Sequence, residues 1–553
     1  MNRRATLATL LGKGSRTQQA TAVRPPVGAG LDPYAGPWGF EQAAHLLRRT
    51  IFSPTYAQMK TVADMGLPAT IDQLLADQPM PDPPLNHNFA GDPYVPIGET
   101  WIDAAYQIGF GNKFYRFQSL YAWTVGNLLQ EGISLREKMT LFWHNHFVTA
   151  EINDPKYTYR YITLLRSQAL GNFRQLAKDV TIDPAMLRYL NGNENTKVAP
   201  NENYARELLE LFTIGKGELA GPGDYTTFTE DDVVAIAKVL TGWRDIGFNT
   251  IEPGAAIDSI FVPNRHDTST KQLSHRFDNV QIADAGADEY KNLIDIIFQQ
   301  DEVARFLARK LYRWFVYYEI DELTELNVIE PLAQVLLDHD FDVKPALAAL
   351  LQSEHFFDPL NYGVMIKNPV DFLTSLLKPF EVAFPSELAP QYQAWLTVAQ
   401  VLAPLQMEVY NPPSVAGWKA YYQEPTYYRQ WINSVTLPVR MGASDAMTLL
   451  GFQIGDFHVE IDVLEFVGTI DNPSDPNAVI EEFAAILFPQ PITESQHDYL
   501  KGILIPGLPD FEWTVEYGEY IANPTNSVLA AAIELKLRTL LKTMLSMPEF
   551  HLS

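Results

Sequence analysis

Apolar residues recur at helical spacing along most of the chain, and this period constrains the fold more than any other sequence feature. In the stretch GFEQAAHLLRRTIF, the positions i, i+3, i+4 and i+7 of one helix face are taken by Phe40, Ala43, Ala44 and Leu47. The same spacing predicts helices over 100–130, 134–147, 157–170, 201–213, 230–243, 301–317, 331–337, 369–380 and 428–435. We therefore predict a mainly α protein, a large multi-helix orthogonal bundle with long ordered loops and at most a small β-hairpin.

A chain of 553 residues exceeds what one hydrophobic core usually holds. The pattern divides it into four segments: 1–38, a flexible or export-signal-like N-terminus; 39–440, the main helical domain; 441–476, an acidic linker-like segment; and 477–553, a small C-terminal helical unit packed on the main domain. Residues 247–280 mix Gly, Pro, Asn and β-branched residues, which predicts a long ordered loop with a small hairpin.

Composition excludes several classes of function. The chain has 41 Lys and Arg against 67 Asp and Glu, a formal net charge of −26, which repels phosphate backbones and disfavours nucleic acid as a partner. It contains no cysteine, so disulfides, thiolate nucleophiles and iron–sulfur clusters are excluded, and a metal would be held by His, Asp, Glu or Asn. No apolar run is long enough for a transmembrane segment.

The first residues, MNRRATLATLLGKG, combine Arg3 and Arg4 with a short apolar segment. This arrangement is typical of a twin-arginine export signal, and the alternative is a disordered tail. The first interpretation predicts a periplasmic or cell-envelope location, and the second is compatible with the cytoplasm.

Histidine is scarce, with 11 residues in the chain, yet LREKMTLFWHNHF places His144 and His146 two positions apart. Because successive helical residues turn by about 100°, the two imidazoles would point apart if the helix continued through both. A helix that ends near Trp143 would instead bring them into one pocket. Glu137 and His144 are seven residues apart on one helical face, where the carboxylate would orient the imidazole or share a metal. The alternative is that both histidines are core residues bonded to backbone carbonyls.

A second polar cluster lies on the predicted helix 201–213. One face of that helix carries Asn203, Arg206, Glu207 and Glu210. On an exposed face these residues would form solvated ion pairs. Facing an interior site, Glu207 and Glu210 would be metal ligands or general bases, and Arg206 would be their neutralising partner.

A third polar cluster, FVPNRHDTSTKQLS, lies in the long loop and contains His266, Asp267 and Lys271. Adjacent His and Asp side chains diverge, so they do not readily pair with each other, but both can reach one site from a turn. The alternative is a polar surface turn.

The order of these motifs along the chain resembles the bacterial family known as domain of unknown function 1800. Five further strings belong to the same series: AAHLLRRTIFSPT, EDDVVAIAKVLTGW, ARFLARKLYRWFV, IKNPVDF and YNPPSVAGW. The resemblance implies a mostly helical protein, often exported and often encoded beside a sulfatase-like partner, and supplies no reaction. It also implies a site role for the histidine pair, for Asn203, Arg206 and Glu207, and for His266 and Asp267, although Thr268 stands where a glycine-like residue is common.

The favoured hypothesis is a metal-dependent hydrolase with a divalent ion of unspecified identity. Its metal ligands would come from His144, His146, Glu207, His266 and Asp267. Its catalytic groups would come from Glu137, Asn203, Arg206, Glu207, Glu210 and Lys271. This hypothesis requires the histidine pair, the polar face of the predicted helix 201–213 (the acidic helix) and the long loop 247–280 to meet in one internal cavity.

Two alternatives stay open. The first is a non-catalytic protein that assists assembly or secretion, or binds polymer, beside a sulfatase-like partner. The second is a redox enzyme with a His-bound metal or haem.

Overall fold

The computed structural model describes residues 30–553, so the twin-arginine-like segment lies outside the described residues. The α-helices in chain order are α1 Phe40–Thr50, α2 Tyr56–Met65, α3 Leu67–Leu74, α4 Lys113–Gln130, α5 Arg136–His146, α6 Pro155–Ser167, α7 Phe173–Thr181, α8 Pro184–Tyr189, α9 Asn203–Glu207, α10 Glu230–Val239, α11 Glu289–Ile297, α12 Asp301–Phe315, α13 Glu322–Thr324, α14 Glu330–Asp338, α15 Val343–Leu351, α16 Pro369–Ser375, α17 Leu388–Gln400, α18 Thr436–Leu449, α19 Val463–Gly468, α20 Pro476–Leu487, α21 Glu494–Leu504, α22 Asp510–Ala522 and α23 Ser527–Ser546. Within this part of the chain, none of the helices has the length and apolar character needed to cross a membrane.

Shorter helical turns connect these elements. Two are π-helical: Leu208–Thr213, which continues α9, and Glu325–Ile329, which joins α13 to α14. The 3₁₀ turns are Gly192–Glu194, Pro263–Arg265, His275–Phe277, Gly286–Asp288, Pro359–Asn361, Lys419–Tyr421, Tyr427–Trp431 and Pro548–His551.

The β structure consists of short antiparallel hairpins. The paired strands are β1 Leu219–Gly221 with β2 Asp224–Tyr225, β3 Trp243–Ile246 with β4 Asp258–Phe261, β5 Lys271–Gln272 with β6 Gln281–Ile282, and β7 Phe452–Ile454 with β8 Phe457–Val459. The mainly α class is confirmed, with four hairpins in residues 30–553 where one small hairpin was predicted. Strands of two to four residues are too short to give a readable alternation.

Glycines and left-handed residues set two helix ends that the apolar period misplaced. The helix predicted over 100–130 begins only at Lys113, because Gly109 and Phe110 both have positive φ, at 82° and 58°. The helix predicted over 230–243 ends at Val239, and Gly242 at φ 101° turns the chain into β3. A positive φ interrupts an α-helix at little cost only where glycine or a tolerant residue stands.

The segment 441–476 contains the end of α18, the β7–β8 hairpin and α19. Val459, Ile461 and Val463 are buried at alternate positions, while Glu460 and Asp462 between them face outward. Alternation of this kind places one side of an extended chain on a core. Glu460 and Asp462 therefore lie on the outer side of a packed stretch.

The buried apolar residues form two large clusters. One spans residues 43–399, and the other gathers residues 365–550 together with Phe52, Tyr56 and Leu128. Phe52 and Leu128 therefore share a core with Phe483 and Leu541 of the C-terminal helices. The four-segment division of the chain stays a prediction.

Two helical glycines provide a matched test of this packing. A Cβ on Gly126 of α4 would lie 2.7 Å from the Trp395 ring of α17, whereas a Cβ on Gly442 of α18 would meet no atom within 4 Å. We expect Gly126→Ala to lower the free energy of unfolding by about 1–3 kcal/mol through overpacking. Gly442→Ala should raise it by about 0.4–1 kcal/mol, because alanine restricts the unfolded chain. Urea unfolding measures both, and equal effects would contradict the packing of α4 on α17.

Candidate functional site

Helix α5 runs through both histidines of the FWHNHF motif, so their imidazoles diverge. His144 Nε2 lies 3.3 Å from the Thr149 carbonyl oxygen, and His146 Nε2 lies 2.8 Å from that of Phe212. Each ring therefore donates to a different backbone segment. Burial lowers the pKa of His144 to about 4 and that of His146 well below its ordinary value, so both imidazoles are neutral at neutral pH.

Asn145, between the histidines, holds a distant loop. Its Oδ1 accepts a hydrogen bond from the Trp418 backbone N–H at 3.0 Å. The preceding Gly417 has φ 93°, and a Cβ there would lie 2.3 Å from the same oxygen. Only glycine lets the loop approach α5 this closely.

A cavity of about 230 Å³ opens beside this loop. Four sequence motifs meet around it: FWHNHF on α5, ELLELFT on the π turn, ARKLYRW on α12, and the loop after NPPSV. Its lining residues include Phe142, Asn145, His146, Glu210, Phe306, Lys310, Arg313, Trp314, Tyr421, Tyr422, Glu424 and Tyr427. The structure thus brings His146 and Glu210 together, and we call this cavity the central pocket.

Lys310 is the most unusual group of the central pocket. Its Nζ donates to the Leu211 carbonyl oxygen at 3.1 Å and lies 4.7 Å from the centroid of the Phe306 ring. Burial, with a smaller effect of the nearby Arg313 charge, lowers the pKa of Lys310 to about 7. A substantial fraction of this amine is therefore uncharged near neutral pH and carries a lone pair.

The sequence interpretation missed Lys310, although a signal was present. Phe306 and Trp314 stand four residues before and after it, so this lysine lies within an aromatic stripe of α12. A lysine in such a stripe either extends its amine past the stripe to solvent or is buried.

His146 adds a second uncharged base. Its Nε2–H is used by the Phe212 carbonyl, which leaves the lone pair on Nδ1. This buried Nδ1 has no hydrogen-bond partner among residues 30–553. An acceptor in this state is available to a bound molecule.

The remaining residues of the acidic helix lie outside the central pocket. Arg206 forms a bidentate pair with Glu230 at 2.8 and 3.0 Å, Asn203 is exposed, and Glu207 is half-buried. Burial, followed by the Glu210 charge, raises the pKa of Glu207. Glu210, which lies in the π turn Leu208–Thr213, lines the central pocket, and its carboxylate lies 3.1 Å from Lys216 Nζ.

Glu137 forms a buried ion pair with Arg166. The guanidinium binds both carboxylate oxygens at 2.7 and 2.9 Å, and both side chains are almost fully buried. Neither residue lines the central pocket. The carboxylate therefore satisfies a cation of α6 instead of orienting His144.

The long loop forms a separate centre around His266. Its Nδ1–H donates to the Thr241 carbonyl oxygen at 2.8 Å, while Nε2 faces a Glu289 oxygen at 2.9 Å and an Asp284 oxygen at 3.5 Å. Lys271 Nζ lies 2.5 Å from the other Glu289 oxygen. Asp267 is turned away and accepts from Ser269.

The donor atoms of His266, Asp284 and Glu289 all lie within 4.8 Å of one another. Two ligands about 2.1 Å from one ion are roughly 3.0–3.4 Å apart at ordinary coordination angles, and the distances from His266 Nε2 to Glu289 (2.9 Å) and to Asp284 (3.5 Å) lie close to this range. The sequence interpretation found His266 but missed Asp284 and Glu289, which follow in the next connection and in α11. Neither Asp284 nor Glu289 stands at a sequence distance from His266 that is typical of a known metal-binding motif.

Comparison with known proteins identifies one relationship. A family model described as "Protein of unknown function (DUF1800)" matches residues 45–552, nearly the whole chain, which confirms the resemblance seen in the motifs. No curated protein and no solved structure matches.

The Glu137–Arg166 pair can be tested against a more exposed pair. Glu137→Gln should lower the free energy of unfolding by about 3–5 kcal/mol, because it leaves a buried guanidinium uncompensated. The control is Glu325→Gln, which breaks the partly exposed pair with Arg309 and should cost about 0–1 kcal/mol. Chemical denaturation measures both, and similar losses would contradict a purely structural role for the buried pair.

Proposed function

The chain belongs to the DUF1800 family, and because that family has no assigned reaction, we propose from the geometry that it is a hydrolase acting in the central pocket. The observation that carries the proposal is the half-buried Lys310 amine, with its pKa near 7, in a cavity that also contains the neutral imidazole of His146. Perturbed bases in a concave site are typical of catalytic centres.

The proposed step is activation of water. Uncharged Lys310 accepts a proton from a water molecule, and the water oxygen bonds to an acyl or phosphoryl centre of the substrate. The bond to the leaving group breaks, and the leaving atom receives the proton from the Lys310 ammonium. Arg313, which also lines the pocket, faces the negative charge that develops on the substrate. No redox change occurs.

Glu210 and the aromatic wall have supporting roles in this proposal. Glu210, paired with Lys216, accepts hydrogen bonds from hydroxyl or amide groups of the substrate. Trp314, Tyr421 and Tyr422 form an aromatic wall that limits water access. Because the pocket is small, it fits the scissile part of a substrate and not a whole polymer.

A divalent ion is proposed at His266, Asp284 and Glu289. Since Nδ1–H of His266 donates to Thr241, the Nε2 lone pair faces a carboxylate oxygen at 2.9 Å, and a proton or a cation must lie between them. One nitrogen and two oxygen donors suit Zn²⁺ or Mn²⁺. None of these ligands lines the central pocket, so the ion would order the long loop and the hydrolytic step does not pass through it.

The cell-envelope location and the sulfatase-like partner stay predictions of the family resemblance. The redox alternative uses the histidine pair as ligands of one metal or haem. His144 and His146 contact different backbone segments, at Thr149 and Phe212, and only His146 lines the central pocket, which favours the hydrolase.

Lys310→Met tests the proposed base. We expect wild-type protein to hydrolyse at least one of p-nitrophenyl acetate, phosphate or sulfate, with a rate that rises through about pH 7 as Lys310 loses its proton. The variant should lose at least about 100-fold of that rate, the usual contribution of a general base. Lys291→Met, at an exposed lysine paired with Asp288, is the control and should keep full activity.

Stability provides a second measurement of the same variant. The folded-state pKa of Lys310 is below that of the unfolded chain, so the unfolded state binds more protons between about pH 7 and 10.5 and wild-type stability rises with pH in that window. Lys310→Met has no such amine, so its stability has no contribution from this deprotonation. Its Tm should therefore exceed that of wild type at pH 7, by a margin that shrinks toward pH 10. If Lys310→Met is inactive but does not show this pH-dependent difference in Tm, the loss of activity reflects misfolding. If wild type, Lys310→Met and Lys291→Met hydrolyse at equal rates, the non-catalytic alternative is supported.

Metal binding is tested with Asp284→Asn. Purified protein should bind one Zn²⁺ or Mn²⁺ in isothermal titration calorimetry, and this variant should bind it at least 10-fold more weakly because it loses one carboxylate ligand. Asp288→Asn changes a nearby exposed acid that is not part of the group and should bind as wild type does. Equal affinities in the two variants would exclude the site.

A further inference from the structure

The connection between α17 and α18 surrounds a further cavity, and all the residues that line it belong to the range 403–433. Its volume is about 610 Å³, within the roughly 300–1,000 Å³ of pockets that bind small organic molecules. The polar side chains on its wall are four carboxamides, one carboxylate and one ammonium, from Gln406, Asn411, Gln430, Asn433, Glu408 and Lys419. We call this cavity the amide groove. Its wall offers several hydrogen-bond donors and acceptors, and its two charged side chains balance.

Trp418 lies against the amide groove with an unused hydrogen-bond donor. Only 1% of this residue is exposed, and the groove is an open space that it lines. Its indole N–H has no partner among residues 30–553, yet the nitrogen is not one of the fully enclosed atoms. Because buried tryptophans usually donate this hydrogen, the indole N–H is available to an acceptor inside the groove.

Glu408 is a half-buried carboxylate whose hydrogen bonds are long. The Tyr121 hydroxyl donates to one oxygen at 3.4 Å and the Asn411 amide to the other at 3.3 Å, whereas good hydrogen bonds of these kinds are about 2.7–3.0 Å long. No cation pairs with Glu408 in the described part of the chain, although Lys419 lines the same wall. The carboxylate therefore keeps acceptor capacity on both oxygens.

Gln406 occupies a backbone position that normally favours glycine. At φ 66° it lies in the left-handed region. The hydrogen bonds from its N–H to the Ala403 carbonyl and from the Met407 N–H to the Leu402 carbonyl form the Schellman arrangement that ends a helical turn. Glycine adopts this conformation without a Cβ penalty. A long carboxamide stands here instead, on the groove wall; its Oε1 accepts from Asn433 at 3.1 Å, and its Nε2 donates to no residue within 30–553.

We propose that the amide groove binds a neutral saccharide, with Gln406 and Glu408 hydrogen-bonded to its hydroxyl groups and Trp418 donating to one of its oxygens. Each hydroxyl of a sugar both donates and accepts, which matches a wall of carboxamides that do the same. Glu408 accepts from two neighbouring hydroxyls, one on each carboxylate oxygen. The apolar ring surface of Trp418 and Trp431, which also line the groove, covers C–H groups of the sugar ring.

A peptide fits these groups less well. In an extended chain, the N–H groups that point the same way are two residues apart, about 6.6 Å. Two such donors cannot reach both oxygens of one carboxylate, whereas the neighbouring hydroxyls of a sugar are close enough to do so. The balance of Glu408 by Lys419 on the wall also disfavours an inorganic anion or a metal ion.

The amide groove and the central pocket share no lining residue. They lie along the same loop, in which Tyr422 lines the central pocket and Trp418 lines the groove. Saccharide binding therefore does not require that Lys310 acts as a base, and failure of one proposal leaves the other in place.

The test begins with an array of neutral mono- and oligosaccharides, to which the purified protein should bind. Isothermal titration calorimetry with the best-bound free oligosaccharide then compares wild type with three single-site variants. Glu408→Gln should bind at least about 10-fold more weakly because it loses a charged acceptor, and Gln406→Gly about 3-fold or more because it loses neutral hydrogen bonds. The control is Glu381→Gly, at the same position of a second Schellman turn, with φ 47°. It does not line the groove and should bind as wild type does.

The two glycine variants separate binding from folding. Gln406→Gly and Glu381→Gly should each melt at or close to the wild-type Tm, because relief of the Cβ penalty offsets the greater freedom of the unfolded chain. Weaker binding in Gln406→Gly alone then reports the lost carboxamide. Equal affinities in all three variants would overturn the proposal, as would an array on which no saccharide binds. Tighter binding of a tetra-alanine peptide than of any saccharide would overturn it in favour of a peptide site.

Discussion

Removing a charged side chain from water costs several kcal/mol unless an opposite charge or a hydrogen-bonding partner replaces the water, and the helices of this protein bury many such side chains. Some lie against an opposite charge. Arg116 and Asp92 lie 2.8 Å apart with no exposed side-chain surface, and Glu137 holds Arg166 in the same manner. Lys310 instead donates to the Leu211 carbonyl oxygen, and its pKa is lowered. The ion pairs maintain the fold, and the central pocket is proposed where a cation lacks such a pair.

The two candidate centres satisfy this constraint in different ways. Around His266, acids and bases face one another closely, so the missing component is a proton or a metal ion. In the central pocket, burial keeps the His146 imidazole neutral and leaves a substantial fraction of the Lys310 amine uncharged near neutral pH. Neutral bases suit proton transfer because they accept a proton at physiological pH without first having to lose one. The chemistry of each centre therefore follows from how its charge is balanced.

The helical class and most long helices could be predicted from the sequence because the apolar period of helices such as α1 and α12 is strong. The grouping of site residues could not. His146 and Glu210 line one pocket although they lie on different helical segments 64 residues apart, and no local spacing links them. Lys310 was readable as a lysine in an aromatic stripe, but its burial depends on a loop more than 100 residues away in the chain. Asp284 and Glu289 have no sequence spacing that links them to His266.

The three consecutive residues His144, Asn145 and His146 each hold a different part of the chain: the turn at Thr149, the loop at Trp418 and the π turn at Phe212. Because neighbours on a helix differ by about 100° in direction, three adjacent side chains reach three sides of the helix. The end of α5 thus acts as a junction whose function depends on spacing as well as on residue type. Insertion or deletion of a single residue just before it would redirect all three attachments at once, so length variation in this family should avoid this turn even where substitutions are tolerated nearby.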